Sequence, residues 1–349
     1  MTKPRLRDVA SLANVSEPTV SRVLNGKPGV ATTTRERVIE ALRQLGVDEI
    51  PEPRASRRGV VGIVAGDFTN PVFPTFVHHI SAALARRGML TSVVLADPDT
   101  NTEERCVKEL QSCSVDAIVF MGGRHAEIDG DLDHYSDIVA DGTPIVLING
   151  RATTLDVPHI RCDERAATNK AVDHLVDLGH TRIGCLIGSE MYIPTHRIID
   201  GFHQTLRRHG LSAPSSAVAH ANFTFEGARA GAKRLLSSGI TAIVAANDLM
   251  ALGAIHSATS MGLEVPGELS VVGYDGTDLT AVTSPPLTTM RQPFEDMADL
   301  AAEAIVAELE GSDRYRDHYV FEPDLLSRSS SGRISPGLVQ QASRVGNLS

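Results

Sequence analysis

Residues 6–46 read LRDVASLANVSEPTVSRVLNGKPGVATTTRERVIEALRQLG, and their spacing sets the architecture of the start of the chain. Val9, Ala10, Leu12 and Ala13 recur as the apolar face of a first helix. Asn14-Val15-Ser16 interrupts that face. Ser16 is a good N-cap because its hydroxyl accepts from an otherwise orphaned N–H, and Pro18 falls in the first turn, where a missing N–H costs nothing. Val20, Val23 and Leu24 then point inward, leaving Thr19, Ser21 and Arg22 outward. Asn25-Gly26 reads as a C-cap. Thr33 or Thr34 is placed to cap a third helix carrying Val38, Ile39, Leu42 and Leu45, which Gly46 ends. Two short helices about a tight turn, the second bearing hydroxyls and a guanidinium, form the geometry that lays a helix into a DNA major groove. On pattern alone, a plain three-helix cap with solvated Ser and Thr fits equally well.

Charge separates the head from the rest. The chain carries a formal −10, which excludes a protein that coats nucleic acid along its whole surface. Residues 1–60 hold 11 Lys/Arg against 7 Asp/Glu, a net +4, leaving 22 against 36, a net −14, in the remainder. A basic head on an acidic body is the footprint of a polyanion met at one end. The 349 residues exceed what one compact core usually organises, so a small domain plus a large or bilobal one is expected. The four cysteines, Cys106, Cys113, Cys162 and Cys185, form no C-x-x-C pair and read as free thiols of a reducing compartment. No signal peptide precedes Arg5 and no run of 18 apolar residues occurs, so a soluble, cytoplasmic protein without membrane contact is expected.

From Val60 the chain alternates short apolar runs with helical patterns. The strand candidates are 60–65, 92–95, 117–121, 145–148, 183–187, 242–245 and 270–273, β-branched and without polar alternation, as in parallel strands buried on both faces. Helical patterns such as 76–87, 165–178, 195–209, 229–236 and 249–261 lie between them. Repeated βα units make doubly wound sheets, and this many strands implies two lobes. Ligands of such sheets bind beyond the carboxyl ends of the strands. The loops there carry Asp67–Phe73, Asn149-Gly150-Arg151, Asn247-Asp248 and Tyr274–Asp278. Paired carboxylates and amides suit sugar hydroxyls, Phe73 and Phe223 offer stacking faces, and Arg197 offers a planar fork of donors.

The run Asp8-Val9-Ala10, then Val15-Ser16, then Thr19 through Gly26 closely resembles the DNA-binding head of the lactose-repressor (LacI/GalR) family. That resemblance implies that Ser16, Thr19, Ser21, Arg22 and Asn25 contact DNA, mostly phosphates. It puts Glu17 and Pro18 at the two positions that set operator preference. Pro18 has no side-chain donor and Glu17 only accepts, so a non-standard operator is expected. The segment from Val47 to Arg58, VDEIPEPRASRR, departs from the family. It is about three residues short of the usual hinge helix and lacks the Leu that wedges into the minor groove. Arg54, Arg57 and Arg58 fit either insertion into a narrow minor groove or a basic linker on phosphates.

The similarity continues to about Arg333 through DFTNPVF (67–73), HLVDLGHTRIGCLIG (174–188), AANDLMALGA (245–254), VVGYDGTDLTAVTSPPLTTMRQP (271–293) and FEPDLLSRSS (321–330). It implies a core like that of periplasmic sugar-binding proteins: two doubly wound parallel sheets, after a small all-α head. Effector contacts carried over are Phe73, Asn149, Arg197, Phe223, Asn247 and Asp275. Arg197 departs, lying four residues before Gly201-Phe202 where relatives use three or five. The implied organisation is a head over 1–46, a basic linker over 47–59, an effector-binding and dimerisation core over 60–333, and a disordered tail over 334–349. Lobe one spans 60–162 with 292–322, and lobe two 163–291. The implied function is repression of a sugar or nucleoside operon by a homodimer on a pseudo-palindromic operator, released by a small-molecule effector.

A sugar-binding transport protein or sensor without operator function fits the core but not the basic helical head. An enzyme fits less well: no G-x-G-x-x-G follows a strand, no Walker motif occurs, and no catalytic set or metal-ligand spacing has supporting context. No cofactor is expected. Arg22→Ala is predicted to weaken operator binding at least tenfold while leaving effector affinity unchanged, measured by DNA and ligand titrations at fixed salt. Unchanged operator binding would contradict the placement of the second helix.

Overall fold

The computed structural model describes residues 6–24, 30–45, 59–97, 102–150 and 154–334. Contacts divide the chain into two units at Val60, with Gly88–Leu90 grouped with the first. In the first unit, α1 (Leu6–Ala13), α2 (Glu17–Leu24) and α3 (Thr32–Gln44) enclose a core of Val9, Ala10, Ala13, Val20, Val23, Val38, Ala41 and Leu42. Asn14 takes a left-handed φ of 51° in the turn, and the Val15 N–H returns to the Ala10 carbonyl at 3.0 Å. Ser16 caps α2 as expected: its carbonyl accepts from Thr19 and Val20, and its hydroxyl lies 2.8 Å from that of Thr19.

Two details of the head differ from expectation. Leu12 and Leu45 are exposed, at 49% and 37%. With 100° per residue, Val9, Ala10 and Ala13 share an arc whose centre lies about 110° from Leu12. The third helix starts at Thr32, so Thr33 and Thr34 lie inside it and Ala31 stands at the cap without a side-chain bond. The asparagine and glycine at 25 and 26, Gly46, the linker over 47–58 and the tail over 335–349 lie outside the described residues.

The second unit is built of two lobes. Lobe one runs β1 (Val60–Ala65), α4 (Val72–Arg86), β2 (Leu90–Leu95), α5 (Glu103–Ser112), β3 (Ala117–Met121), α6 (Asp133–Ala140), β4 (Ile145–Ile148) and β5 (His159–Cys162). Lobe two follows with α7 (Glu164–Asp177), β6 (Ile183–Ile187), α8 (Ile193–Arg208), β7 (Val218–His220), α9 (Phe225–Ser237), β8 (Ala242–Ala245), α10 (Asp248–Ser260), β9 (Ser270–Asp275) and β10 (Thr288–Arg291). The chain then returns to lobe one as α11 (Phe294–Leu309) and β11 (His318–Phe321), and crosses once more to give β12 (Asp324–Leu326). The sheet orders are β11-β5-β4-β3-β1-β2 and β12-β10-β9-β8-β6-β7. The central strands are fully buried apolar runs that pair in parallel, as their composition demands.

The C-terminal stretch corrects the expected boundary of lobe two, which ended at 291. β12 pairs antiparallel with β10, and the residues after it stay on the same lobe. The Ser330 hydroxyl donates to the Val271 carbonyl at 2.6 Å, and Arg328 donates to the Leu287 carbonyl at 2.7 Å. Lobe two therefore includes 323–334. The order of strands reverses beside β1 in one sheet and beside β6 in the other, which opens a crevice at the carboxyl ends of both.

Within lobe two, α9 and α10 pack so closely that a Cβ on Gly253 would stand 2.5 Å from the Phe225 carbonyl oxygen. Alanine is the better helix former by about 1 kcal/mol, yet overpacking against fixed backbone costs about 1–3 kcal/mol. Gly253→Ala is therefore expected to lower the thermal midpoint of the core, read by circular dichroism. A raised midpoint would mean that the two helices slide apart freely.

Candidate functional site

The crevice between the lobes encloses a cavity of about 700 Å³. Phe73, Asn149, Phe223, Asn247 and Asp275, expected from sequence, all line it. Phe73 sits in the first turn of α4, against the β1 loop, because Gly66 has no side chain: a Cβ there would lie 2.7 Å from the ring. Phe223 is seated in the same way by Gly188, whose Cβ would fall 1.9 Å from its ring. The Phe223 ring packs edge-on to Tyr192 at 5.8 Å. Two half-buried aromatic faces, one on each lobe, suit the apolar faces of sugar rings.

The polar groups are held by backbone geometry. Asn149 follows β4 with φ 63°, and its carbonyl accepts from Nε2 of His159 at 2.7 Å. Asn247 caps α10: its Oδ1 accepts from the Met250 N–H at 2.7 Å and its Nδ2 donates to the Phe223 carbonyl at 3.3 Å. One amide hydrogen and one lone pair remain for a ligand. Asp275 ends β9 with φ 116° and accepts from Nε2 of Gln292 at 2.8 Å. Burial, and then the neighbouring Asp248 carboxylate, push the Asp275 carboxyl well above the usual range. Burial likewise lifts Asp248 to about 6, against the hydrogen bonds from Thr289, Thr277 and Gly276.

Arg197 is the exception among the expected contacts. It does not line the cavity. Its guanidinium donates to Glu164 Oε2 at 3.2 Å and to the Gly150 carbonyl at 3.3 Å. Glu164, the first residue of α7, lines the cavity in its place and also pairs with Arg161 at 3.3 Å. Burial raises its pKa, partly offset by Arg197 and Arg161. Arg197 thus ties α8 of lobe two to the β4 loop of lobe one.

Tyr192, Glu164 and Gln292 line the site without having been singled out from sequence. Tyr192 carried a signal, as a loop aromatic in a chain with only 4% aromatics. Gln292 follows β10 directly, so the rule that function follows strands applies to it once β10 is recognised. Its Oε1 is buried and has no hydrogen-bond partner. On the head, Ser16, Glu17 and Pro18 are exposed and Thr19 is half-buried, at the start of α2. Ser21 and Arg22 lie on the same helix. The expected DNA contacts Asn25, Arg54 and Arg57 lie outside the described residues. No group of three or more His, Cys, Asp or Glu among the described residues is arranged to hold a metal ion, and no described helix is long and apolar enough to cross a membrane.

Comparison with known proteins gives one consistent picture. Residues 5–47 match the family described as "Bacterial regulatory proteins, lacI family", and residues 172–331 match the "Periplasmic binding protein-like domain". The chain is 41% identical over 337 residues to the HTH-type transcriptional regulator MalR of Streptomyces coelicolor, covering 95% of this chain and 98% of that one. It is 30% identical over 335 residues to the HTH-type transcriptional repressor CytR of Escherichia coli, covering 95% and 97%. Among solved structures it resembles a complex of the transcriptional regulator CelR with cellobiose, at 27% identity and a TM-score of 0.70 over 94% of this chain and 100% of that one. It also resembles the lac repressor dimer bound to operator and the anti-inducer ONPF, at 26% identity and a TM-score of 0.68 over 95% and 100%.

The histidine behind Asn149 predicts an acid response. His159 is buried, and burial pushes its pKa down to about 4. The folded state therefore keeps it neutral while the unfolded chain binds a proton below about 6.5. Its contribution is intact above 6.5 and is lost as pH falls from there towards 4. The denaturant midpoint of the wild type should drop between pH 7 and 5, and the drop should be smaller in His159→Gln. An equal drop in both would remove His159 from the response.

Proposed function

The chain belongs to the lacI family of bacterial regulatory proteins, and we propose that it represses a sugar-utilisation operon until a small sugar-class effector enters the cavity. It is a DNA-binding transcriptional regulator by its kinship along nearly its whole length. The joining of a helix-turn-helix head to a core with a ligand-sized cavity carries the repressor reading. Residues 1–46 form the operator-reading head, 47–59 the basic linker, and the core from 60 onward binds effector and self-associates. Ser16, Glu17, Pro18, Thr19, Ser21, Arg22 and Asn25 meet the operator from α2 and its end, with Arg54 and Arg57 following on the linker.

Several observations support an effector of sugar type. The cavity falls within the roughly 300–1,000 Å³ of small-molecule sites. It combines aromatic faces with amide and carboxyl groups, and the structurally similar CelR was solved with cellobiose. A homodimer is supported by the similar lac repressor dimer on its operator. Exposed apolar side chains in the core, Val93 and Leu95 on edge strand β2 and Leu279 and Val282 after β9, offer surface that a second copy would cover. Two heads related by a two-fold axis read two half-sites.

The test is binding of the full-length protein to its own upstream promoter DNA, by fluorescence anisotropy at fixed salt, with a panel of mono- and disaccharides and nucleosides. Specific binding relieved by one sugar is expected. Asp275→Ala should keep operator affinity within about twofold and lose the release, since it removes an effector contact but no head contact. Release that persists in Asp275→Ala would remove Asp275 from the site, and failure to bind any promoter fragment specifically would overturn the repressor reading.

A further inference from the structure

We propose that the mouth of the cavity is a charge filter that admits uncharged and amino-bearing sugars and rejects phosphorylated ones, with Asp129 and Asp131 as its specificity-determining residues. This rests on the reading of the core as an effector-binding module. Lobe one supplies Asp67, Asp97, Glu127, Asp129 and Asp131 to the cavity lining, and all but Glu127 are exposed. Among the described lining residues the single cationic side chain is Arg124, and it is paired with Glu104 at 2.5 Å. A concave site whose exposed charges share one sign focuses that potential on whatever enters. The Debye length is about 8 Å at physiological salt, so each exposed carboxylate of the lining acts on a phosphate that enters beside it.

The segment that bears Asp129 and Asp131 is held in place. Glu127 forms an antiparallel bridge with Tyr192 of the other lobe, and the Ile128 N–H donates to the Met191 carbonyl at 2.9 Å. Gly130 lies so near the Arg124 carbonyl that a Cβ would stand 2.0 Å from its oxygen. The Asp133 N–H donates to Asp131 Oδ1 at 2.9 Å, which fixes that side chain at the start of α6. The strap's backbone is therefore held beside the cavity, and the Asp131 carboxylate with it.

Hydrogen-bond capacity points the same way. The lining is rich in acceptors: the mouth carboxylates and, deeper in, Gln292, a buried lining residue whose Oε1 has no partner. Sugar hydroxyls and ammonium groups bring donors to such a wall. A phosphate near neutral pH brings acceptor oxygens and negative charge, and leaves the wall's acceptors unmatched.

The experiment uses the full-length protein and calorimetric titration with cellobiose and maltose, each also as its 6′-phosphate, in 50 and 500 mM salt. The neutral disaccharide that binds best is expected to outbind its phosphate at least tenfold at low salt, with the gap narrowing at high salt. The double variant Asp129→Asn, Asp131→Asn keeps the acceptor that Asp133 uses. It should narrow the gap between the neutral sugar and its phosphate at least fivefold at low salt, whatever its effect on the neutral sugar alone. Steric exclusion alone would leave the phosphate penalty untouched by salt and by the double variant, and that result overturns the filter. Phosphate binding as tight as neutral in the wild type overturns the filter while leaving the effector reading intact. Binding of neither form of either disaccharide, with no sugar of the promoter panel active, overturns both.

Discussion

The carboxylate of Asp248 accepts from the backbone N–H groups of Gly276 at 2.9 Å and Thr277 at 3.2 Å, and from the Thr289 hydroxyl at 2.6 Å. It sits in the first turn of α10, where the partial positive charge of the helix end favours an anion. Room for it exists because Gly273 has no side chain: a Cβ there would lie 2.6 Å from Oδ1. The loop after β9 is thereby bent around one acidic group, and Asp275 is forced into its unusual backbone conformation beside it. The residue before Asp248, Asn247, caps the same helix and tethers Phe223. Asn247, Phe223 and Asp275, three of the groups that lobe two presents to the cavity, meet at this corner.

The Asp248–Asp275 neighbourhood also explains why Asp275 departs from a plain surface aspartate. Asp248 has several donors to hold its charge, whereas Asp275 has the neutral amide of Gln292 and little water. Two adjacent buried carboxyls do not both ionise readily, so the less satisfied one holds its proton more tightly. A protonated Asp275 offers a donor as well as an acceptor, which suits hydroxyls of either role.

Much of this was legible in the sequence. The strands that are uniform apolar runs, such as Ala117–Met121 and Ile145–Ile148, announced themselves by composition, and the helix-turn-helix by the Ser16 cap and its periodicity. The strands β5 and β10 did not, because His159, Arg161, Thr288 and Thr289 break the apolar run. Thr288, Thr289 and His159 are buried beside partners far along the chain: the Thr288 hydroxyl lies 2.8 Å from that of Ser331, the Thr289 hydroxyl donates to Asp248 at 2.6 Å, and His318 lies 3.2 Å from His159. No local pattern encodes such partners. The same limit hid Gln292, which follows β10, and misdirected Arg197. Helical spacing located Arg197 on α8, but its partner is decided by Glu164 at the start of another helix.

Three crossings, between Cys162 and Glu164, Arg291 and Phe294, and Phe321 and Asp324, join the lobes of the core, and Arg197 adds a side-chain tie across the cleft. A ligand between lobes joined in this way shifts their arrangement only by the difference in its affinity for the two states. Linkage then makes the central claim quantitative: the factor by which effector weakens operator binding must equal the factor by which operator weakens effector binding. The most direct test is to measure both factors on one preparation at one salt concentration, titrating promoter DNA with and without saturating sugar, and sugar with and without saturating DNA. Equal factors greater than one are predicted. A sugar that binds the core with the same affinity whether or not DNA is bound would contradict effector-controlled repression.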